Sequence, residues 1–261
     1  MLEIHHLHAY YGRSHVLQGV SLSVQPGEVV ALLGRNGAGK TTTFRAVAGL
    51  IRQVSGSVRL DSREWVGRPT HEIARAGIVY VPSGRRSFAG LTVKEHLQIA
   101  LGGRTSSKTT SRVRPPAGSG EFGRSGKGEP RAVATAESSD AWTRVFEMFP
   151  ALERKLDVPA GVLSGGENQM LKMACAFLTE PRVLLLDEPT EGLAPIVVRE
   201  LGDRIRALAD AGVGVLLAEQ NARFAFSLSK RAYVMHKGVV QVSGWVDDLV
   251  HDETVSSHLG I

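Results

Sequence analysis

The chain has 261 residues, and 43% of them are hydrophobic. It contains one cysteine and carries a formal net charge of +5. This length fits one large domain or two small ones, and the apolar content is that of an ordinary globular core. A lone cysteine, Cys175, excludes a disulfide framework, and no apolar run reaches the roughly 18 residues that a membrane span requires. The first residues lack the charged and then apolar pattern of a signal peptide, so we expect a cytoplasmic protein.

The first two predicted strands are antiparallel. Alternating apolar residues over 2–7 and 16–24 flank a turn at Gly12-Arg13-Ser14. Tyr10 and Tyr11 lie in this predicted connection. An aromatic ring there could stack on an adenine, which is worth roughly 1–3 kcal/mol, or could pack at the end of a strand. These residues alone leave both options open.

The next segment fits the phosphate-binding pattern G-x-x-x-x-G-K-[ST] at every fixed position. The match runs from Gly34 to Thr41, after an apolar strand predicted over 29–33 and before a helix predicted over 42–50. Glycines let backbone N–H groups approach phosphate oxygens, and the helix N-terminus adds a partial positive charge. The alternative is a glycine-rich turn that binds nothing, for which the lysine and threonine would be unnecessary. We therefore predict that this segment binds a nucleoside triphosphate.

Two side chains of this loop have distinct expected roles. Lys40 places a full positive charge near the β- and γ-phosphates, and Thr41 offers its hydroxyl to Mg²⁺. The residues expected to bind ATP are Gly34, Asn36, Gly37, Ala38, Gly39, Lys40, Thr41 and Thr42.

Between the loop and residue 102, short elements alternate. We predict a strand over 56–60, a helix over 71–76, a buried strand over 78–81 that Pro82 stops, and a helix over 91–101 with Thr92 as its N-cap.

A segment of different composition follows. Residues 102–139 are rich in Gly, Ser, Thr, Pro and Arg and nearly free of large apolar residues, which predicts a disordered insertion over 103–139 within a single domain spanning 1–261. Between 103 and 140, seven Lys or Arg oppose four acids, so an excess of three of the net charge of +5 lies here. A basic segment could contact nucleic acid, but only Phe122 supplies an aromatic ring, so a solvated linker is favoured and no nucleic-acid partner is expected.

The second half of the chain alternates helices with apolar strands. This order predicts an α/β fold with a mainly parallel sheet that carries helices on both faces. The predicted helices cover 142–149, 164–178, 195–211 and 222–228, and the predicted strands cover 183–186, 213–218, 232–235 and 239–242.

Two acids, Asp187 and Glu188, close the apolar strand over 183–186. In open α/β sheets, ligands bind at the carboxyl ends of the strands. Asp187 would therefore hold Mg²⁺ opposite Thr41, and Glu188 would orient or deprotonate the attacking water. The alternative is a pair of strand-end acids that only cap the next turn.

The pentapeptide Leu163-Ser164-Gly165-Gly166-Glu167 is a second potential anion cradle, with Ser164 able to donate to a phosphate. Together with the loop and the acidic strand, it resembles the signature of the ATP-binding-cassette (ABC) ATPases. The resemblance implies a P-loop NTPase with an antiparallel β subdomain and a helical subdomain at about 91–179. It also implies two ATP molecules held in a two-fold dimer, each between one phosphate loop and the partner's Ser164, Gly165 and Gly166. Tyr11 matches the family's adenine-stacking aromatic residue.

Further motifs resemble the shorter ATPase of branched-chain amino-acid (Liv-type) importers. They are Val81-Pro82-x-Gly84-Arg85-Arg86-x-Phe88, Leu91-Thr92-Val93, Gly192-Leu193-Ala194-Pro195 and Ala218-Glu219-Gln220-Asn221. In this subclass Gln220 stands where most cassettes carry a switch histidine. An amide can bond a γ-phosphate oxygen but cannot take up the positive charge of a histidine.

Two positions depart from the Liv-type pattern. Ser83 stands where the family has Gln or Glu, and Glu191 stands where the subclass usually has a small or apolar residue. Our hypothesis is that Ser83, whose side chain is too short to reach as far, weakens Mg²⁺-coupled signalling without abolishing ATP binding.

The resemblance implies an importer ATPase on the inner face of the membrane. Its partners would be a second ABC ATPase in a homo- or heterodimer, permease subunits on separate chains and, indirectly, a solute-binding protein. Three alternatives stay open: an importer ATPase for urea or amides, a non-transport ABC-type ATPase, and a slowly hydrolysing one.

Overall fold

The computed structural model describes residues 1–84, 87–105 and 136–259. Two β-sheets enclose an apolar core between them. The strands are β1 (Leu2–Tyr11), β2 (Ser14–Val24), β3 (Val29–Leu33), β4 (Gln53–Leu60), β5 (Arg63–Glu64), β6 (Ile78–Val81), β7 (Val183–Asp187), β8 (Gly214–Glu219), β9 (Arg231–His236) and β10 (Val239–Trp245).

The smaller sheet is antiparallel, with the order β2-β1-β4-β5. The larger sheet has the order β10-β9-β3-β8-β7-β6, in which all neighbours are parallel except β10 and β9. This arrangement confirms the predicted mainly parallel core with an antiparallel β subdomain.

Helices cover both faces of the larger sheet, as its apolar central strands predict. They are α1 (Lys40–Val47), α2 (Thr70–Arg75), α3 (Val93–Thr105), α4 (Ala136–Met148), α5 (Pro150–Glu153), α6 (Gly165–Leu178), α7 (Pro195–Asp210), α8 (Ala222–Leu228), α9 (Val246–Leu249) and α10 (Glu253–Leu259). Along β3, Ala31 and Leu33 join the core on the helical side, whereas Val30 and Leu32 join the core beneath the smaller sheet. Alternate side chains of one strand thus bury in two different cores.

The helix after the phosphate loop begins earlier than predicted. It starts at Lys40 instead of Thr42 and ends at Val47, with Gly49 in the left-handed conformation (φ 71°). The N–H groups of Gly49 and Leu50 bond to the carbonyls of Ala46 and Arg45, which is the Schellman arrangement that ends helices at a glycine.

The first hairpin is longer than predicted. Strand β1 continues to Tyr11 and β2 begins at Ser14, so Tyr10 and Tyr11 lie in a strand and not in a connection. Alternation of buried residues is interrupted between Ile4 and Leu7, where the register between the strands shifts, and resumes at Leu7 and Ala9. Backbone pairing therefore extends the strand beyond the part that the hydrophobic pattern marks.

The helix predicted over 91–101 is present as α3, and its N-cap is confirmed. Thr92 Oγ accepts a hydrogen bond from the Glu95 N–H at 3.2 Å, and the Glu95 carboxylate accepts one from the Thr92 N–H at 2.8 Å. The two residues form a reciprocal capping box.

The insertion predicted over 103–139 falls mostly on residues 106–135, which lie outside the described residues. Helix α3 runs to Thr105 and α4 begins at Ala136, so both ends of the predicted insertion belong to helices. Three further helices, α5, α9 and α10, were not predicted. Helices α5 and α9 have only four residues each, and the sequence of α10 is mostly polar, so none of the three shows a clear hydrophobic period. Within the described ranges, no helix is long and apolar enough to cross a membrane.

Candidate active site

The carboxyl ends of four neighbouring strands meet at one edge of the larger sheet. Strand β3 ends in the phosphate loop, β7 ends at Asp187, β8 ends at Glu219, and β6 ends just before Pro82. Because these strands are parallel, the sheet collects the loop and the acids at its ligand-binding edge.

The backbone of the phosphate loop depends on its glycines. Gly37 and Gly39 have φ angles of 79° and 111°, a region that side-chain-bearing residues rarely adopt. At Gly34, a Cβ atom would lie 2.6 Å from the Met235 carbonyl oxygen. The chain therefore passes close to β9 only because this position has no side chain.

Lys40 lies at the centre of the site and is only 4% exposed. Its Nζ donates to the carbonyl oxygens of Gly34 at 2.6 Å and Arg35 at 3.3 Å. The same ammonium lies 3.0 Å from Glu188 Oε1. The expected phosphate-binding cation and the expected catalytic carboxylate are thus direct neighbours.

Asp187 is 1% exposed, and both of its oxygens accept hydrogen bonds. Thr41 Oγ donates to Oδ1 at 3.0 Å, and the Tyr80 hydroxyl donates to Oδ2 at 2.9 Å. Burial raises the pKa of the Asp187 carboxyl, Tyr80 and Thr41 oppose that shift, and the charge of Glu188 adds to it. Burial also raises the pKa of Tyr80, as does the charge of Asp187, so this hydroxyl keeps its proton and acts as a donor.

Glu188 follows β7 in a left-handed backbone conformation, with φ 45°. Its N–H donates to the Ala218 carbonyl at 2.9 Å, which continues the pairing with β8 by one residue. A glutamate in this region carries backbone strain, and such strain concentrates at functional sites. The chain therefore leaves the sheet at Glu188, the predicted catalytic residue.

The neighbouring strand adds a buried carboxylate, Glu219, which is 2% exposed. Its Oε1 accepts from the Thr190 hydroxyl at 2.8 Å and from the Thr190 N–H at 3.2 Å. Burial raises the pKa of Glu219, although the bonds from Thr190 oppose this. Gln220, the next residue, is exposed at the end of β8, on the same edge of the sheet as Glu188.

The signature segment begins α6. Ser164 is the N-cap, and its Oγ accepts from the Glu167 N–H at 3.3 Å, while the Glu167 carboxylate accepts from the Ser164 N–H at 2.9 Å. The Ser164 hydroxyl is exposed and keeps its own proton for donation. A Cβ atom at Gly166 would lie 2.4 Å from Val197 Cγ1, so close packing on α7 requires this glycine.

Tyr11 is 47% exposed at the end of β1. It lines a cleft of about 730 Å³ together with Arg45, Tyr80 and Pro82. Hydrogen bonding to the Tyr11 hydroxyl raises the pKa of Arg45, and Tyr80 contributes in the same direction. The structure thus places Tyr11 beside α1, the helix that begins at Lys40.

The donor set fits a magnesium nucleotide. Thr41 Oγ and Asp187 Oδ1 lie within 3.0 Å of each other, which offers one hydroxyl and one carboxylate to a cation. Mg²⁺ in nucleotide sites is typically held by one or two such oxygens together with phosphate oxygens. The glycine-lined loop and the adjacent Lys40 have the chemistry that a matching anion site would need.

A family model described as ABC transporter matches residues 17–191, which include the loop, the signature and both acids. The chain belongs to the ABC transporter family. Members of this family hydrolyse ATP, and this ABC ATPase is accordingly an enzyme. The family generally uses ATP with Mg²⁺.

Relatives of this ABC ATPase match it over nearly its full length. It is 39% identical to the high-affinity branched-chain amino acid transport ATP-binding protein BraG of Pseudomonas aeruginosa, over 91% of this chain and 90% of that protein. It is 33% identical to the probable branched-chain amino acid transport ATP-binding protein LivF of Archaeoglobus fulgidus, over 97% and 95% of the two chains. It is also 34% identical to the lipopolysaccharide export system ATP-binding protein LptB of Escherichia coli, over 95% and 91%.

Solved structures agree on the fold. An ATP-binding subunit of an ABC transporter matches with a TM-score of 0.76 and 27% identity, covering 98% of this ABC ATPase and 94% of that chain. A nucleotide-free ATP-binding cassette matches with a TM-score of 0.80 and 22% identity, covering 100% and 98%. The predicted ABC-type P-loop fold is thus confirmed.

Sequence reasoning gave no role to three residues that shape the site, Tyr80, Glu219 and Arg45. Tyr80 bonds Asp187, Glu219 bonds Thr190, and Arg45 contacts Tyr11. The sequence could have indicated the role of Glu219, because a carboxylate that ends a buried apolar strand needs a hydrogen-bond partner. It gave no such indication for Tyr80 and Arg45, because each acts through a contact far away in the sequence.

Proposed function

We propose that this chain is the ATP-hydrolysing subunit of a membrane ABC importer for branched-chain or related amino acids. The observation that carries the hydrolytic part is the convergence of Lys40 and Thr41 with Glu188 and Asp187 at one sheet edge. The similarity to BraG over nine tenths of both chains supports the class of transported solute.

In this proposal the loop residues Gly34 to Thr42 bind the phosphates, with Lys40 neutralising their charge. Thr41 and Asp187 hold Mg²⁺, which supplies a positive charge that neutralises phosphate oxygens when bound. Glu188 accepts a proton from the attacking water. Gln220 donates its amide to a γ-phosphate oxygen, and Tyr11 stacks on the adenine.

The active assembly would be a two-fold dimer. Ser164, Gly165 and Gly166 of each subunit would close on the triphosphate held by the partner's loop. Support comes from the exposed hydroxyl of Ser164 and from its place at a helix N-terminus, where backbone N–H groups favour an anion. The partner would be a copy of this chain or a related ATPase.

The permease subunits would be separate chains that hold this ATPase at the inner face of the membrane. Two exposed apolar side chains, Phe88 after β6 with 71% exposure and Ile99 on α3 with 58%, are consistent with a protein partner on this part of the surface. A solute-binding protein would take part indirectly, and no nucleic-acid partner is expected.

The similarity to LptB supports a second candidate, in which the transporter moves a lipopolysaccharide outward. The ATPase site would be the same in both cases, since this subunit acts on ATP and the permease contacts the solute. The two candidates therefore differ in the partner chains.

The experiment that tests this proposal is a tagged pull-down from detergent-solubilised membranes of the native cell, with the recovered chains identified. We expect two multi-span permeases and a second cassette ATPase. Recovery of an export complex would favour the LptB-like candidate. Recovery of ribosomes or nucleic acid without membrane proteins would refute a transport role.

Ser83 offers a test of the coupling between ATP hydrolysis and the permease. We expect Ser83→Glu to raise the ATPase rate in the presence of the permease, because a longer carboxylate could reach the cation and the water that Ser83 cannot. ATP affinity should stay the same, since the phosphate loop is unchanged. The measurement is the ATPase rate of the reconstituted transporter with and without solute.

Ser83→Ala is the matched control and should behave like the wild type, because it also lacks a long polar side chain. If Ser83→Glu changed neither the rate nor its response to the permease, the coupling hypothesis would be refuted.

A further inference from the structure

Helix α6, which the signature segment begins and which we call the signature helix, contains a lysine in its middle, Lys172. This lysine binds the loop that follows β6. Lys172 Nζ donates to the carbonyl oxygen of Gly84 at 2.8 Å and approaches that of Pro82 at 3.3 Å. Both acceptors are backbone atoms, so the contact holds the path of the loop whatever its side chains are. The Ser83 side chain, between them, makes no hydrogen bond within the described part of the chain.

A second residue of α6 supports the same loop. Asn168 lies one helical turn before Lys172 and therefore on the same face. Its Oδ1 accepts from the Ser87 hydroxyl at 2.7 Å, and its Nδ2 donates to the Ala160 carbonyl at 3.2 Å. Two side chains of α6 therefore hold the loop. Lys172 binds the backbone of the loop, and Asn168 binds the Ser87 side chain.

The loop is continuous with the active site. It follows β6, whose Tyr80 hydroxyl donates to Asp187 Oδ2 at 2.9 Å. Strand β6 also pairs with β7 over its full length, from Ile78 to Val81. A connected series of contacts therefore leads from the buried acid through β6 and the loop to Lys172, on the helix that Ser164 begins.

The ammonium of Lys172 is held in an unfavourable place for a charge. Burial lowers the pKa of Lys172 to about 8, and no carboxylate contributes to this shift. An apolar residue would fill the same position without this cost. The two carbonyl contacts are the interactions in the described structure that offset it.

We propose that Lys172 is a positioning residue that fixes the segment Pro82–Gly84 to α6, so that this loop and the signature helix move as one body. The inference rests on the proposed function, in which α6 brings Ser164 to a partner's triphosphate. Loss of the contacts from Lys172 to this loop leaves the ATP site of each subunit intact but misplaces Ser164, Gly165 and Gly166 relative to Asp187. The rate of hydrolysis then falls while ATP binding is retained.

The test uses Lys172→Met in the full chain, with Lys172→Arg as the conservative variant and Lys94→Met as the control. Lys94 is an exposed lysine on α3 whose ammonium is unpaired in the described structure. Hydrogen exchange of the amides of residues 83, 84 and 87–91 reports the loop, and kcat and KM for ATP report the reaction.

For Lys172→Met we expect faster exchange in this loop and a kcat about tenfold lower, in line with the cost of small misplacements at active sites. KM for ATP and the melting temperature should stay near those of the wild type. Lys172→Arg should restore both readouts, since a guanidinium also donates to carbonyls, and Lys94→Met should change neither.

Three results would each overturn this inference alone. They are unchanged exchange in Lys172→Met, faster exchange with an unchanged kcat, and failure of Lys172→Arg to restore kcat. A wild-type chain without ATP hydrolysis would instead overturn the proposed function and this inference with it.

Discussion

A Glu188→Gln variant is expected to lose ATP turnover by about 10²–10⁴-fold, which is the usual contribution of a positioned general base. The amide keeps the length of the side chain and can still accept a hydrogen bond from Lys40, 3.0 Å away in the native structure. It cannot take a proton from water. ATP affinity should be unchanged, because the phosphate loop and Asp187 are untouched. Phosphate release measures turnover, and titration with a fluorescent ATP analogue measures binding.

Glu191→Gln is the matched control. Glu191 is an exposed acid in the same turn, and its N–H bonds to the Glu188 carbonyl while its carboxylate faces solvent. The control should hydrolyse ATP at close to the wild-type rate. Wild-type turnover in Glu188→Gln would show that another group activates the water.

A Lys40→Met variant is expected to bind ATP about 10–100-fold more weakly, since a charge-assisted hydrogen bond is worth roughly 1.5–3 kcal/mol. Methionine fills a similar volume but removes the only cation that the described structure places against Glu188 and the Gly34 carbonyl. Hydrolysis should fall with affinity. Equilibrium titration with ATP in the presence of Mg²⁺ is the measurement.

Lys40 is only 4% exposed, and replacing it could also weaken the fold, so the melting temperature must be compared. Lys94→Met, which removes an exposed lysine, controls for charge alone. Unaltered ATP affinity in a folded Lys40→Met variant would refute the role of Lys40.

The residues that the sequence predicts are those whose chemistry is tied to local spacing. The phosphate loop needs glycines and a lysine within a few residues, and β7 needs a run of apolar residues before its acids, so both are visible without a structure. The strand over 78–81 was also predicted with its observed bounds, because Pro82 ends it.

The parts that were not predicted depend on contacts between distant segments. Strand β1 extends to Tyr11 because Tyr10 and Tyr11 pair with His15 and Ser14 of β2, across the turn that the sequence predicts there. Tyr80 reaches Asp187 only because β6 and β7 are neighbours, and Lys172 reaches Gly84 only because α6 packs beside the loop. Sequence spacing carries no record of such contacts.

The hydroxyl of Ser164 answers to two demands at once. As an N-cap it accepts from the Glu167 N–H, a task that Asp, Asn or Thr could also perform. As a proposed donor to a neighbouring subunit's triphosphate it must be neutral and small, which excludes Asp by charge repulsion. The residues tolerated at this position are therefore the intersection of a folding requirement and an assembly requirement. A substitution at Ser164 must satisfy both requirements, so we expect fewer residues to be tolerated at the start of this helix than either role alone would allow.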